Sequence, residues 1–287
     1  MMMEPEITRE AVIERSNSLP AFPLVIKQII ATIDDPEAST EMLAGHIKHD
    51  PVIAARVLSL ANAAATGTRR QTSTHDIFTA ASLIGMNRVR ETALLAGLSD
   101  FVGSLAAPGV TATFWQHSIA VGVCSEELAL HTAVPASASA ALIAGLLHDV
   151  GQLWLYRFKA DSFSEAWPHA VAHGVGIEQA ERERFGVDHS TIGAWLAEHW
   201  TLPANIVAAI RGHHAPDLAL SEPLVPVVHV AEVLANALDL TGREENRVTS
   251  ISSAACNSLG LTWDEGTRAL FGRMEARSRH ANALFGS

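Results

Sequence analysis

Features that define several common protein classes are scarce in this chain of 287 residues. Only two cysteines are present, Cys124 and Cys256, and they lie far apart in the sequence. A disulfide-stabilised fold needs more cysteines and a zinc ribbon needs closely spaced pairs, so we expect two reduced thiols instead. Charged residues make up 18% of the chain and hydrophobic residues 48%. Because a disordered chain has the opposite balance, this composition predicts a folded protein with a sizeable core.

Basic charge and long apolar runs are scarce as well. The net charge of −11 and the isoelectric point of about 5.6 argue against a protein that holds nucleic acid through its phosphates. We interpret two arginine pairs, Arg69 with Arg70 and Arg88 with Arg90, as parts of a solvated face. The first ten residues are polar, unlike a secretory signal, and apolar runs such as residues 140–147 are too short to cross a bilayer. We therefore expect a cytoplasmic protein that binds neither nucleic acid nor a membrane.

The pattern of hydrophobic residues predicts an all-α fold. Apolar residues follow the helical period almost throughout, and alternating runs of β-branched residues are hard to find. Typical capping residues mark several helix starts, namely Ser39 or Thr40, Asp50 followed by Pro51, and Asp188. The helix that begins at Pro51 has an apolar face that is predicted to be buried. That face carries Ile53, Val57, Leu58 and Ala61.

A run of small residues between positions 103 and 109 is the best candidate for a boundary between lobes. We predict a helical lobe over residues 1–105, a second helical lobe over residues 106–240 and a helical extension over residues 241–287. Nine helices are expected after the boundary, over residues 111–131, 136–150, 162–173, 177–185, 189–200, 203–212, 223–240, 248–259 and 263–283.

Histidine is abundant and unevenly distributed. Ten of the 14 histidines lie between His117 and His229. His117 shares one face of a predicted helix with four apolar residues, Ala120, Val121, Cys124 and Leu128. Its imidazole should therefore point into the core. A single inward histidine is more often a hydrogen-bonded core residue than a ligand, so this position alone does not define a site.

His148 and Asp149 stand at the end of a predicted apolar helix. The residues one and two turns before His148 are small, namely Ala141, Ala144 and Gly145. Small residues allow a second helix to approach closely, and an adjacent His-Asp pair can direct two ligands into one site. The alternative is that Asp149 is an ordinary polar helix end and that Gly151 caps the helix.

Three further segments carry potential ligands. His189 begins a predicted helix, and His213 and His214 directly follow another. The alternative for this histidine pair is a surface position stabilised by the negative end of the helix. Glu232 lies one turn after His229 on the same side of a helix, and without a metal it would be a solvated or hydrogen-bonded residue.

Jointly these residues have the composition of a metal site. In chain order they are His117, His148, Asp149, His189, His213, His214 and Glu232. Imidazole with carboxylate suits a divalent ion of iron, zinc, manganese or nickel, and no organic cofactor is implied. Burying these groups without a cation would be costly, because carboxylates repel one another and unpaired imidazoles lose hydrogen bonds. The sequence therefore predicts that the seven residues converge on one cavity, where a bound ion could activate a water molecule to attack a phosphate.

The order of these residues resembles the HD superfamily of metal-dependent phosphohydrolases, whose members share a His, a later His-Asp pair and a distal Asp. Other segments resemble the HDOD family. In the first half they are Leu19-Pro20-Ala21-Phe22-Pro23, Asp50-Pro51 with Arg56, Leu58, Ala61 and Asn62, and residues 80–85. In the second half they are Phe185-Gly186-Val187-Asp188-His189, Gly193, Trp200, Leu202-Pro203 and His213-His214. The resemblance covers about residues 15 to 240 and implies a two-lobed fold, with an N-terminal helical bundle packed on an HD-like lobe.

The resemblance also implies a role for each candidate ligand. His117 matches the first His and His148-Asp149 the adjacent pair, while Glu232 takes the place of the distal Asp. The remaining three match the additional ligands of the two-metal relatives called HD-GYP, and these are His189, His213 and His214.

Two departures from the hydrolase pattern argue against catalysis. Gln152 stands where HD hydrolases often have a lysine, which would stabilise charge on a phosphoryl group. Residues 215–218 are Ala-Pro-Asp-Leu, in place of the Gly-Tyr-Pro segment of cyclic-dinucleotide phosphodiesterases. Because HDOD domains are generally regarded as regulatory, we predict a signal-transduction module that binds other signalling proteins or a small regulatory ligand. The alternative is a metal-dependent phosphohydrolase of a nucleotide or another phosphate ester, with Asp149 as its catalytic residue.

Overall fold

The computed structural model of the protein describes residues 6–33, 35, 37–65, 74–105, 111–132, 134–241 and 250–285. Within these residues all regular secondary structure is helical, which confirms the all-α prediction. Arg69 and Arg70 lie outside the described residues, as does most of the predicted boundary between 103 and 109. Both cysteines are free and buried, and burial raises the pKa of the Cys124 thiol to about 12.

Six α-helices are described before residue 106. They are α1 (Arg9–Ser16), α2 (Leu24–Ala31), α3 (Thr40–Lys48), α4 (Pro51–Ala65), α5 (Ile77–Ile84) and α6 (Met86–Leu105). The predicted caps are confirmed, because Ser39 accepts a hydrogen bond from the Met42 amide and Asp50 accepts from the Val52 and Ile53 amides. The sequence pattern missed α1, which is short and weakly amphipathic.

Ten α-helices and one 3₁₀ helix are described after residue 110. They are α7 (Thr111–His131), α8 (Ala138–Leu147), α9 (Val150–Phe158), α10 (Ala160–His173), α11 (Ile177–Phe185), α12 (His189–His199), α13 (Ala204–Gly212), the 3₁₀ turn Pro216–Leu218, α14 (Leu224–Ala237), α15 (Ser253–Ser258) and α16 (Glu265–Phe285).

The chain divides into two compact units, one of residues 21–102 and one of residues 1–20 with 103–287. The first twenty residues thus group with the later part of the chain, where the Ile7 amide donates a 3.0 Å hydrogen bond to the Phe185 carbonyl. The sequence pattern instead predicts that they belong to the N-terminal lobe. The three-part division at residues 105 and 240 stays a prediction.

The unit of residues 21–102 has its core between α2, α4 and α6. A side chain at Gly97 would collide with Ile26 and Ile53, so α6 lies directly against those residues. Ile53, Val57 and Ala61 are at most 1% exposed, as predicted. The prediction for Leu58 was wrong: it is only half-buried, because it lies at the edge of the apolar stripe rather than at its centre.

The other unit is built around α7, which packs against α8, α14 and α16. The predicted close approach is confirmed at Gly145 of α8, where an added Cβ would lie 2.7 Å from the Gly122 Cα atom and 2.7 Å from the Ser125 hydroxyl. All four apolar neighbours of His117 on α7 are fully buried. A second layer is formed by α12, which packs against α9, α13 and α1.

The junction between α8 and α9 differs from the prediction. We expected one helix over residues 136–150 with a possible cap at Gly151, but α8 ends at Leu147 and α9 begins at Val150. Gly151 lies within α9, where a Cβ would come within 2.0 Å of the His189 carbonyl oxygen and 2.7 Å of the Gly193 nitrogen. Glycine is therefore present to let α9 approach α12, and the helix break leaves His148 and Asp149 as the two residues between helices.

One stretch, Ala138–Phe158, is long and apolar enough to cross a membrane by length and composition, with a mean hydropathy of 1.2. This stretch includes both α8 and α9, so it is longer than the uninterrupted apolar runs of the sequence, such as residues 140–147. However, 83% of its 18-residue apolar window is buried inside the protein, and His148 and Asp149 separate the two helices. We interpret it as a pair of core helices.

Candidate metal centre

The predicted ligands are brought together by helix ends, by the buried face of α7 and, for Glu232, by the middle of α14. Four imidazoles are completely buried, those of His117, His148, His189 and His213, and the Asp149 side chain is nearly so. His214 and Glu232 are half-buried. Burial of this many polar side chains in one unit requires that they satisfy one another or a bound ion.

The first group of ligand atoms comes from His117, His148 and Glu232, each of which offers one atom within 4.8 Å of the other two. The Nε2 atoms of the two histidines are 3.2 Å apart. The Asp149 Oδ2 atom lies 3.3 Å from His117 Nε2 and 3.4 Å from His148 Nε2. One oxygen of Asp149 therefore faces this group.

The second group comes from Asp149, His189, His213 and His214, which also offer atoms within 4.8 Å of one another. The other oxygen of Asp149, Oδ1, lies 3.1 Å from His189 Nε2 and 3.8 Å from His213 Nε2. The Nε2 atoms of His214 and His189 are 2.9 Å apart. Asp149 thus lies between two clusters of imidazole nitrogens, with one oxygen toward each.

All seven predicted residues are close together in the structure. The helices α12 and α13 pack side by side and bring His213 and His214 to His189. Asp188 caps α12 by accepting from the Thr191 amide at 2.9 Å, so its role is structural. That the seven residues act as metal ligands remains a prediction.

Hydrogen bonds at the far side of the rings fix which nitrogen faces the centre. His148 Nδ1 lies 2.7 Å from the Gly145 carbonyl oxygen, and His213 Nδ1 lies 2.7 Å from the Ile210 carbonyl oxygen. A carbonyl can only accept, so each Nδ1 carries a proton and donates it. In the neutral rings the Nε2 lone pairs therefore point inward, as metal coordination requires.

The electrostatics of the centre fit a cation. Burial lowers the pKa of His213, and the neighbouring imidazoles lower it further, so this ring is a neutral base. His213 Nε2 is buried and has no hydrogen-bond partner among the described residues. Burial opposes ionisation of Asp149, but the surrounding imidazoles, His148 first among them, hold its pKa well below the usual range. An inward lone pair next to a buried carboxylate is the donor set that a divalent ion takes.

The sequence analysis missed Glu181, a completely buried carboxylate on α11. Its Oε2 atom accepts hydrogen bonds from the His189 amide at 2.7 Å and from His189 Nδ1 at 2.6 Å. Carboxylates that bond the outer nitrogen of a histidine orient the ring and make it a better ligand. The sequence signal was limited to one acidic residue among several on a strongly charged helix.

Gln152 lies in the first turn of α9, where its backbone amide donates a 2.8 Å hydrogen bond to the Asp149 carbonyl. This position is one turn from the centre. The side chain that stands there is neutral, and it cannot contribute the positive charge of the lysine expected in hydrolases.

The chain belongs to the HDOD domain family, which matches residues 19–216. It is also similar to an uncharacterised protein of Treponema pallidum (strain Nichols), with 26% identity over 247 residues. That match covers 80% of this chain and 44% of the relative, so the chain spans less than half of the relative's length.

Solved structures share the fold. An HDOD domain protein of unknown function from Geobacter sulfurreducens is 24% identical, with a TM-score of 0.77 and coverage of 96% of this chain and 98% of that one. A candidate phosphohydrolase from Shewanella amazonensis SB2B is 22% identical, with a TM-score of 0.72 and coverage of 96% and 97%. A candidate signal transduction protein from Marinobacter aquaeolei VT8 is 21% identical, with a TM-score of 0.76 and coverage of 96% and 61%.

Proposed function

We propose that this HDOD protein is a regulatory module whose HD-like part binds two divalent metal ions. The observation that carries the proposal is the position of Asp149, whose two oxygens face two separate groups of imidazole nitrogens. His117, His148 and Glu232 would hold one ion, and His189, His213 and His214 would hold the other. Such ions would supply Lewis acidity and a site for an exogenous ligand.

A regulatory role is favoured over catalysis by the surroundings of the centre. Gln152 provides no charge for a phosphoryl group, and the ligands are almost entirely enclosed by the protein. Among the seven residues only His214 and Glu232 are partly exposed, so a small regulatory ligand would approach beside them. The occupied centre would then act on other signalling proteins in the cytoplasm.

Metal analysis of untagged protein tests this proposal directly. We expect close to two equivalents of iron, manganese, zinc or nickel per chain after purification in the presence of the metal. Asp149→Asn retains the size of the side chain but loses its charge, and should reduce binding at both groups. Asp161→Asn, an exposed carboxylate on α10, is the control and should leave the metal content unchanged. A wild-type protein that retains no metal under any of these conditions would overturn the proposal.

A second candidate function is a metal-dependent phosphohydrolase. It is favoured by the shared carboxylate, because two-metal phosphatases also clamp the attacking and leaving oxygens between paired ions. The test is turnover of cyclic di-GMP and of an activated phosphodiester with added manganese or iron. We expect no turnover, and robust hydrolysis that Asp149→Ala abolishes would replace the regulatory assignment with the enzymatic one.

A further inference from the structure

His229 is a buried histidine beside the centre that is not among its candidate ligands. It lies on α14, is 7% exposed, and uses both ring nitrogens in hydrogen bonds. Its Nδ1 atom is 2.8 Å from the backbone carbonyl oxygen of His213, and its Nε2 atom accepts from the Ser252 amide at 3.1 Å. The ring therefore connects the backbone of a candidate ligand to a segment 39 residues further along the chain.

The two bonds define the state of the ring. Because a backbone amide can only donate, Nε2 of His229 carries no proton, and Nδ1 must donate to the His213 carbonyl. The imidazole is thus neutral and in a single tautomer. A rigid ring that donates on one edge and accepts on another can hold two backbone segments at a fixed separation.

Ser252 makes several hydrogen bonds at the start of α15. It caps α15, where its hydroxyl accepts from the Ala255 amide at 3.0 Å, and it is hydrogen-bonded to Asp217 of the 3₁₀ turn. That turn begins two residues after His214. Two hydrogen bonds of Ser252 therefore connect the start of α15 to the region of the His213-His214 pair. One involves the side chain of His229 and the other Asp217.

We propose that His229 is a positioning residue that couples metal binding at the second ligand group to the order of α15. The inference rests on the proposed function, since it requires that an ion binds there. His213 is held at its ring by the Ile210 carbonyl and at its backbone by His229. An ion on the His213 and His214 rings would restrict this backbone, and His229 transmits the restriction to the Ser252 amide. Thermodynamic linkage makes this coupling reciprocal. The factor by which a bound ion favours the ordered state of α15 is also the factor by which the ordered state raises the affinity for the ion.

The test compares two variants of His229 in the full-length untagged protein. His229→Phe keeps a ring of similar size and loses both hydrogen bonds. His229→Asn places an amide nitrogen near the position of Nδ1, so it keeps the donor to His213 and loses the acceptor for Ser252. His199→Phe is the control, because His199 is an exposed histidine on α12. Zn²⁺ alone is titrated into metal-stripped protein, and amide hydrogen exchange of residues 252–259 is measured with and without Zn²⁺.

In the wild type and in His199→Phe we expect two Zn²⁺ per chain and slower exchange of residues 252–259 when Zn²⁺ is bound. In His229→Phe we expect the second group to bind about tenfold or more weakly, the usual cost of losing an outer hydrogen bond at a metal site, with no metal-dependent change in exchange. In His229→Asn two Zn²⁺ should still bind tightly while the exchange of residues 252–259 no longer responds.

Other outcomes overturn specific claims. A wild type that binds no Zn²⁺ overturns the proposed function and this inference with it. Two tightly bound Zn²⁺ in folded His229→Phe, with wild-type exchange behaviour, overturns the inference alone. If His229→Phe does not fold, His229→Asn decides the matter, and an unchanged exchange response in that variant contradicts the proposed coupling.

Discussion

At the residue scale, the buried carboxylate of Glu181 is the least expected part of the centre. It accepts two hydrogen bonds from His189 and holds that ring from behind. Burial lowers the pKa of His189, but Glu181 and Asp149 outweigh burial and raise it well above the usual range. The two carboxylates therefore favour the protonated form of His189, and an ion bound at Nε2 would compete with a proton there.

We predict that Glu181→Gln weakens metal binding at the second ligand group by about 10–100-fold, the typical cost of losing such an outer carboxylate. The amide is a poorer acceptor and no longer favours the proton on His189 Nδ1. Titration of metal-stripped protein measures the change. Glu183→Gln, on the exposed face of the same helix, provides the control and should bind metal as the wild type does. Equal affinities of the two variants would show that Glu181 has no effect on the site.

The surroundings of individual residues in the sequence determine which parts of the centre could be predicted. His117 and the His148-Asp149 pair were recognisable because their neighbours are apolar or small, which implies an inward direction. Glu181 could not be found in this way, because it lies on a charged helix and its burial depends on how α11 packs beside α12. Its partner His189 is eight residues away, beyond the reach of any pattern along one helix.

At the scale of helices, the distance between α9 and α12 sets the geometry of the second ligand group. Asp149 directly precedes α9, and His189 is the first residue of α12. The two helices approach through Gly151 and Gly193, with no side chain between their backbones.

Gly151→Ala should therefore destabilise the protein by about 1–3 kcal/mol or more, because the new methyl group would collide with the backbone of α12, which cannot move aside like a flexible side chain. Gly272→Ala makes the same substitution in α16, where an added Cβ meets no atom within 4 Å. It should stabilise by about 0.5–1 kcal/mol through helix propensity. Chemical denaturation of the two variants measures the difference, and a neutral Gly151→Ala would contradict the close contact.

Helix positions were largely predictable, whereas the junction between α8 and α9 was not. Caps and apolar periodicity located α11 and α12 closely, since these are local signals. The break after Leu147 lacks a proline or a typical capping glycine, so the sequence favoured one longer helix. The break follows from tertiary packing, because α8 must lie against α7 and α9 must lie against α12.

At the scale of the whole unit, helix α16 is fixed to α7 by a partly buried ion-pair network. Glu127 on α7 accepts from Arg273 Nε and from Arg277 Nη1, both at 2.8 Å. Only 6% of the Glu127 side chain is exposed. Burial would raise the pKa of Glu127, but the hydrogen bonds from Arg277 and Arg273 outweigh it, and the pKa lies below its ordinary value of 4.5.

This shift predicts a pH-dependent contribution to stability. A carboxyl whose pKa is lowered by folding stabilises the protein above its unfolded pKa and loses this effect as the pH falls through its folded pKa. We expect Glu127→Gln to lower the free energy of unfolding by about 1–3 kcal/mol at pH 7. The difference from the wild type should shrink as the pH falls below about 4.5. Denaturation curves between pH 7 and pH 3 check this, and a difference independent of pH would rule out the ionised pair as its source.

The shared carboxylate of Asp149 would affect how strongly a second ion binds after the first. The second ligand group contains three histidines and no carboxylate except the one that it shares with the first group. An ion in the first group would partly neutralise the shared Asp149 carboxylate. It would also repel a second dication nearby. The two binding steps should therefore show negative cooperativity, with a singly loaded protein as the main species over an intermediate range of metal concentration. A shared carboxylate would thus give the protein three states of occupancy, so that its response to metal supply is graded.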